Sequence, residues 1–293
     1  MRPRVEGQGI ENADLSLRVR GSNRLSAAPV ATLGYSSTKD RRIVLIHGYN
    51  VSELASLKTM IQLRHVLSER CPIIAPQILT LTWPGNAHWY MGGPASYFAK
   101  VDVARRAGQL LYDYSMAEYQ RGKGPRELVI VAHSLGCRLT LEFLSQLRQR
   151  PSRLKKLVVI LMAAAVPVEQ SALIAQATAN ADEVTVLHSK DDRVLRRWFR
   201  LGQTVAREGR WPEAIGSHGK PGVPPWTTAR FMVGYDHSDY WGGDATADAV
   251  AERLQTNFPA LRFRIGLDRS HELPTRATLD ETALLAAYSL QAL

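Results

Sequence analysis

The chain lacks most of the features that announce a special environment. Only Cys71 and Cys137 stand among its 293 residues. Two cysteines do not make a disulfide framework, and no Cys/His spacing suggests a metal site. No apolar run reaches the roughly 18–20 residues that a membrane span requires. The first twenty residues are basic but contain no apolar h-region, so no secretory signal is expected. The expected compartment is therefore the cytoplasm, with both thiols reduced. No RRM, zinc-finger or Gly-Lys phosphate-loop signature occurs, and no cofactor fingerprint. Aromatic residues are not interleaved with the arginines as a stacking platform needs, so no nucleic-acid partner is expected.

What the chain does have is core material and positive charge. Its hydrophobic fraction is 45% and its charged fraction 22%, ordinary for a globular protein. The formal charge is +10. The excess is spread over Arg2, Arg4, Arg18 and Arg20, then 148–156, then 193–210. It reads as solvated helix faces, with an anionic substrate or an anionic surface as the alternative.

Residues 1–40 are polar and form an N-terminal arm, with one alternating stretch at 13–20 that suits an edge strand. At 43–46 a short continuous apolar run stops at His47-Gly48, the pattern of a strand buried on both faces. A helical stretch follows over 52–68, and further strands are expected at 78–83, 128–132, 157–161 and 184–187. Helices are expected near 101–121, 135–149 and 168–178. Residues 86–99 and 202–229 read as loops, 229–235 as a strand, 244–257 as a helix, and 261–265 as a last strand. A tail, 266–293, carries a capping box, Thr278 with Glu281, ahead of a short Ala/Leu-rich helix. Strands separated by helices imply right-handed crossovers and a mostly parallel sheet, within one domain over 41–265. Such sheets bind ligands beyond the carboxyl ends of their strands. His47, Trp83, Ser134 and Asp192 each follow an expected strand end.

The central signal is Val129-Ile-Val-Ala-His-Ser-Leu-Gly-Cys137. A nucleophile elbow needs a strand, a sharp turn and a helix, with serine at the apex and small residues two positions away. Ala132 and Gly136 occupy those positions around Ser134. The simpler reading makes Ser134 a helix N-cap. Attack on an ester builds an oxyanion, which needs preorganised N–H donors. The backbone N–H of Leu135 supplies one, and that of Tyr49, in the loop His47-Gly-Tyr-Asn50, supplies the other. His47 itself reads as structural. The acid and base should follow in the order Ser, Asp, His. After the 184–187 strand comes His188-Ser-Lys-Asp-Asp-Arg-Val194, where Asp192 is the expected acid and Asp191 its rival. The expected base is His237, in Gly234-Tyr-Asp-His-Ser-Asp-Tyr-Trp241; His218 and His271 are less well placed.

Together His47-Gly-Tyr-Asn50, Thr82-Trp-Pro-Gly85, Ala132-His-Ser-Leu-Gly136, Ser189-Lys-Asp-Asp-Arg-Val194 and His237-Ser-Asp-Tyr-Trp241 resemble bacterial α/β-hydrolases of uncharacterised function, esterase/lipase-like proteins with an HGYN-type oxyanion loop. The resemblance covers roughly 41–258. It implies an α/β-hydrolase fold, a mostly parallel central sheet flanked by helices. Carried over by position, it implies Ser134 as nucleophile, Asp192 as acid, His237 as base, and Tyr49 and Leu135 at the oxyanion hole. Ala132 departs from the wider G-x-S-x-G pattern.

About twenty residues separate the strands at 157–161 and 184–187, so no separate cap domain fits there. A small acyl ester is the expected partner, with the basic segment 193–210 favouring an anionic one. Trp83, Trp89 and Trp241 are candidates to line its pocket, or else core packing. Thioesterase, amidase and acyltransferase chemistry would use the same residues. A non-catalytic binding protein on the same scaffold is the alternative of another class.

Overall fold

The computed structural model describes residues 14–19, 22–31, 40–49, 52–86, 94–205, 210–218 and 228–265. Its elements run β1 (Asp14–Arg18), β2 (Leu25–Ala31), β3 (Arg41–Ile46), α1 (Glu53–Arg70), β4 (Ile78–Thr82), α2 (Pro94–Gln120), β5 (Glu127–His133), α3 (Leu135–Ser145), β6 (Lys156–Met162), α4 (Ser171–Thr178), β7 (Glu183–His188), α5 (Arg200–Val205), α6 (Ile215–His218), β8 (Thr228–Phe231) and α7 (Asp244–Asn257). Short 3₁₀ segments, Pro72–Gln77 and Asp239–Trp241, precede β4 and α7, and a π-helical turn, Val194–Phe199, leads into α5.

The eight strands form one sheet in the order β2-β1-β4-β3-β5-β6-β7-β8. Every pairing is parallel except β1 with β2. The central strands are apolar throughout because helices cover both faces. Ile43, Leu45, Val129, Val131, Val158 and Ile160 are all fully buried. Behind Ser134, every residue of α3 is buried, its Arg138 neutralised one turn on by Glu142 at 2.7 Å. This is the α/β-hydrolase fold, an eight-stranded, mostly parallel sheet flanked by helices.

Several expected boundaries move. The alternating stretch at 13–20 enters the sheet as β1, with Leu15 and Leu17 buried, but it is not the edge. The edge is β2, whose Ala/Ser sequence carries little apolar periodicity and whose Pro29 suits an outer strand. Helix α2 starts at Pro94, within the segment expected to be loop, since proline is at home in a helix's first turn. The loop expected from residue 202 instead starts as helix α5, Arg200–Val205. The last expected strand does not form. Leu261 is buried, and Arg264 N–H donates to the Arg70 carbonyl at the end of α1. The tail 266–293, with its expected helix, lies outside the described residues.

Candidate active site

Strand β5 delivers Ser134 in a backbone conformation of φ 53° and ψ −124°, a strained turn that an L-residue adopts only where its surroundings enforce it. The enforcement is visible on both sides. Ser134 N–H donates to the Met162 carbonyl of β6, and the Ser134 carbonyl accepts from Ala165 N–H and Cys137 N–H. A Cβ at Gly136 would lie 2.4 Å from the His47 carbonyl oxygen, so only glycine lets α3 start this close to the loop after β3. Ser134 precedes the helix, yet its hydroxyl does not cap it. Oγ instead lies 2.8 Å from His237 Nε2.

His237 stands six residues past β8, and its Nδ1 lies 2.7 Å from Asp192 Oδ2. The Asp192 carboxylate is fully buried, while the imidazole is 18% exposed. Its other oxygen accepts from Leu195 N–H at 2.9 Å, which fixes the carboxylate as it starts the π-helical turn. Low polarizability around a buried carboxylate strengthens its hold on the imidazole. Asp191 points elsewhere: its Oδ2 accepts from Gly234 N–H at 3.1 Å. His218 sits near Glu213 at 3.3 Å, apart from Ser134, and His271 lies outside the described residues.

The loops that carry Asp192 and His237 are stitched to each other. Ser189 Oγ donates to the Tyr235 carbonyl at 2.7 Å, and Met232 N–H donates to the His188 carbonyl. The Asp236 carboxylate accepts from Arg193 N–H at 3.0 Å, from the Arg193 guanidinium, and from His237 N–H at 2.9 Å. Arg193 and the adjoining amides hold the Asp236 carboxyl below the usual carboxylate range, against the opposing effect of partial burial.

His133 was not expected at the site. Its Nε2 donates to the His237 carbonyl at 2.8 Å, and its ring lies 4.8 Å from that of His237 and 5.4 Å from that of Trp241. Burial, reinforced by the neighbouring imidazole, pushes its pKa well below the ordinary value, so it is a neutral donor. No sequence signal marks it beyond its place beside the serine.

On the other side runs the loop after β3. A Cβ at Gly48 would lie 2.7 Å from Ser134 Cβ and 3.0 Å from His133 Nδ1, so the backbone at 48–49 passes directly against the serine. His47 holds the loop from within. Its Nδ1–H donates to the Gly48 carbonyl at 2.9 Å, and its Nε2 accepts from Trp83 N–H at 3.2 Å. Burial lowers its pKa to about 4, so the ring is neutral and structural. The Tyr49 ring meets Tyr97 edge-on at 5.2 Å, and Leu135, the first residue of α3, is fully buried.

Of the three tryptophans considered for a pocket, Trp83 is fully buried, stacked on His47 with its Nε1–H on the His47 carbonyl at 2.8 Å. Trp241 packs beneath His133 at 5% exposure. Both serve packing, and Trp89 lies outside the described residues. An apolar recess lined by Leu15, Leu81, Leu111, Tyr114 and Phe143 opens on the sheet's flank under α2, away from the serine. Among the described residues no group of three His, Cys, Asp or Glu side chains could hold a metal, and no helix is long and apolar enough to cross a membrane.

Among solved structures, the chain is similar to an uncharacterised protein from Bacillus cereus, at 13% identity and a TM-score of 0.45, over 77% of this chain and 61% of that one. It thus spans less than two thirds of that protein's length. It is also similar to the lin2722 gene product of Listeria innocua, at 9% identity and a TM-score of 0.42, over 74% of this chain and 94% of that one. Likeness at this level carries nothing further. No curated protein matches the sequence. A family model described as "Alpha/beta hydrolase of unknown function (DUF900)" matches residues 29–216, more than half of the chain, and the protein belongs to that family.

Proposed function

We propose that the protein is a serine hydrolase that cleaves a carboxylic ester through an acyl-enzyme, with Ser134 as nucleophile, His237 as base and Asp192 as acid. The observation that carries this is the unbroken relay Ser134 Oγ, His237 Nε2, His237 Nδ1, Asp192 Oδ2, at 2.8 and 2.7 Å. In the reaction, Oγ bonds to the ester carbonyl carbon as its proton passes to His237 Nε2. The carbonyl electron pair moves onto oxygen, where the N–H groups of Tyr49 and Leu135 receive it, each such donor being worth about 3–4 kcal/mol. His237 then protonates the departing alkoxide, leaving the acyl group on Ser134. Water, deprotonated by the same imidazole, attacks that acyl-enzyme; the bond to Ser134 Oγ breaks, Oγ takes the proton back from His237, and the acid is released. Asp192 keeps the proton on Nδ1, which holds the productive tautomer and stabilises the imidazolium.

The ester reading includes a small acyl group, supported by the short β6–β7 connection, which holds only α4 and its flanking turns. The surplus of arginine in 193–210 supports an anionic one. The same proposal places the protein in the cytoplasm, in keeping with two free, buried thiols. The test is a fluorophosphonate probe on the folded protein, followed by mapping of the adduct. Modification of Ser134 is expected. A folded protein that stays unlabelled, or that is labelled elsewhere, overturns the reading.

A further inference from the structure

The segment that follows Asp192 has an unusual solvent face. Its inner side is ordinary: Leu195 and Phe199 are buried, Phe199 meets the Tyr97 ring edge-on at 6.4 Å, and Gln203 Nε2 donates to Tyr97 Oη at 3.0 Å. The outer side should be polar, yet it presents Val194, Trp198, Leu201 and Val205. These recur at spacings of four, three and four, one stripe along a helical surface. Trp198 is 64% exposed.

Two neighbours extend the stripe. Trp211, 53% exposed, is brought to it by its backbone N–H, which donates to Thr204 Oγ1 at 2.9 Å. Its φ of 60° is a left-handed conformation that a bulky residue rarely takes. At the other end, the Arg193–Asp236 ion pair ties the start of the stripe to the loop of His237, next to Val233, which is 78% exposed.

Positive charge predominates beside the stripe. Arg193 and Arg200 are answered by Asp236 and Glu213. Arg196, Arg197 and Arg210 are exposed, and none has a carboxylate within ion-pairing distance among the described residues. Exposed tryptophan and aliphatic side chains flanked by unanswered arginines match the surface of an anionic bilayer. There, indole rings settle at headgroup depth and guanidinium groups meet phosphate. A second copy of the chain fits poorly, since a two-fold contact would set these arginines against their own counterparts. A nucleic acid would leave Val194, Leu201 and Val205 without a use.

We infer that the face formed by Val194, Trp198, Leu201, Val205 and Trp211 is a docking surface for anionic lipid, and that it holds the edge of the Asp192 and His237 loops against a membrane. The inference does not depend on ester hydrolysis. Its test therefore uses Ser134→Ala protein, whose lipid binding is read by vesicle flotation with no turnover involved. The protein is expected to float with phosphatidylglycerol-containing vesicles, to be weakened by salt, and to stay in solution with pure phosphatidylcholine. Arg196→Gln combined with Arg197→Gln should weaken binding about 25-fold, from about fivefold for each arginine near a charged surface. Trp198→Ser combined with Leu201→Ser should weaken it at least about tenfold. All four positions are exposed, and unchanged melting would show that the variants remain folded. Quenching of tryptophan fluorescence by brominated lipid, reduced in Trp198→Phe and reduced further when Trp211→Phe is added, would support the contact directly. Failure of the folded protein to float, equal binding by all variants, or retention on DNA without vesicle binding would overturn it.

Discussion

The side chain of His133 grips the main chain of His237: imidazole Nε2 donates to the carbonyl oxygen of His237 at 2.8 Å, while the His237 ring turns its own Nε2 to Ser134. Adjacent residues of one strained turn thus hold the base by its backbone and meet it by its ring. His133→Phe keeps a ring of similar size and removes the donor. A misplacement near 1 Å can cost on the order of 10² in rate, and a fall of that order in kcat is expected, with KM little changed. Steady-state kinetics on an activated ester checks it; an unaltered kcat would show that the base holds its place without this bond.

Asp192 and Asp191 are neighbours with separate tasks, and isosteric substitution separates them. Asp192→Asn removes the acceptor for His237 Nδ1–H, and turnover should fall on the order of 10⁴-fold. Asp191→Asn keeps an oxygen for Gly234 N–H and should stay within a few-fold of the parent. Parallel rate measurements on the two purified variants decide which carboxylate serves. Comparable losses from both would remove Asp192 from its proposed role.

Space around the serine is as restrictive as its hydrogen bonds. In Gly48→Ala the new Cβ would stand 2.7 Å from Ser134 Cβ, a contact that can be relieved only by moving backbone. A stability loss of about 1–3 kcal/mol is expected. A loss in kcat on the order of 10² should accompany it, because the Tyr49 N–H leaves its place. Denaturant titration and kinetics measure the two effects independently. Wild-type activity in the folded variant would speak against Tyr49 as an oxyanion donor.

Acid should weaken the fold through His47. Its pKa is lowered to about 4 by burial, against about 6.5 in an unfolded chain. The unfolded state therefore binds the proton first as pH falls. The stabilisation is complete above about 6.5 and is lost progressively down to about 4, on the order of 3 kcal/mol in all. His133, shifted in the same direction, adds to the slope. Urea midpoints measured across this range should fall with pH in the parent and fall less steeply in His47→Gln. An identical slope in the two would show that His47 is not among the groups responsible.

Much of this arrangement was legible in the chain. The runs at 43–46, 128–132 and 157–161 are apolar without alternation, short and rich in Val and Ile, which suits a strand covered on both faces. The small residues around Ser134 mark a tight turn, and the order Ser134, Asp192, His237 places each at a strand end. Other features were not legible. Nothing local distinguishes Asp192 from Asp191, since the two carboxylates differ only in direction once the π-helical turn forms. Trp83 and Trp241 were equally fit, as residue types, to line a pocket or fill a core. The strand β2 is hidden because an outer strand with small side chains needs little apolar periodicity.

The sequence by itself determined the parallel sheet, the elbow and the loop His47-Gly48-Tyr49, because these rest on periodicity, residue size and chain order. Only the tertiary structure decided which imidazole meets the serine, that His133 holds it there, and that the solvent side of the π-helical turn and α5 is apolar and cationic. Those depend on distances and exposures between segments far apart in the chain, and no local spacing encodes them.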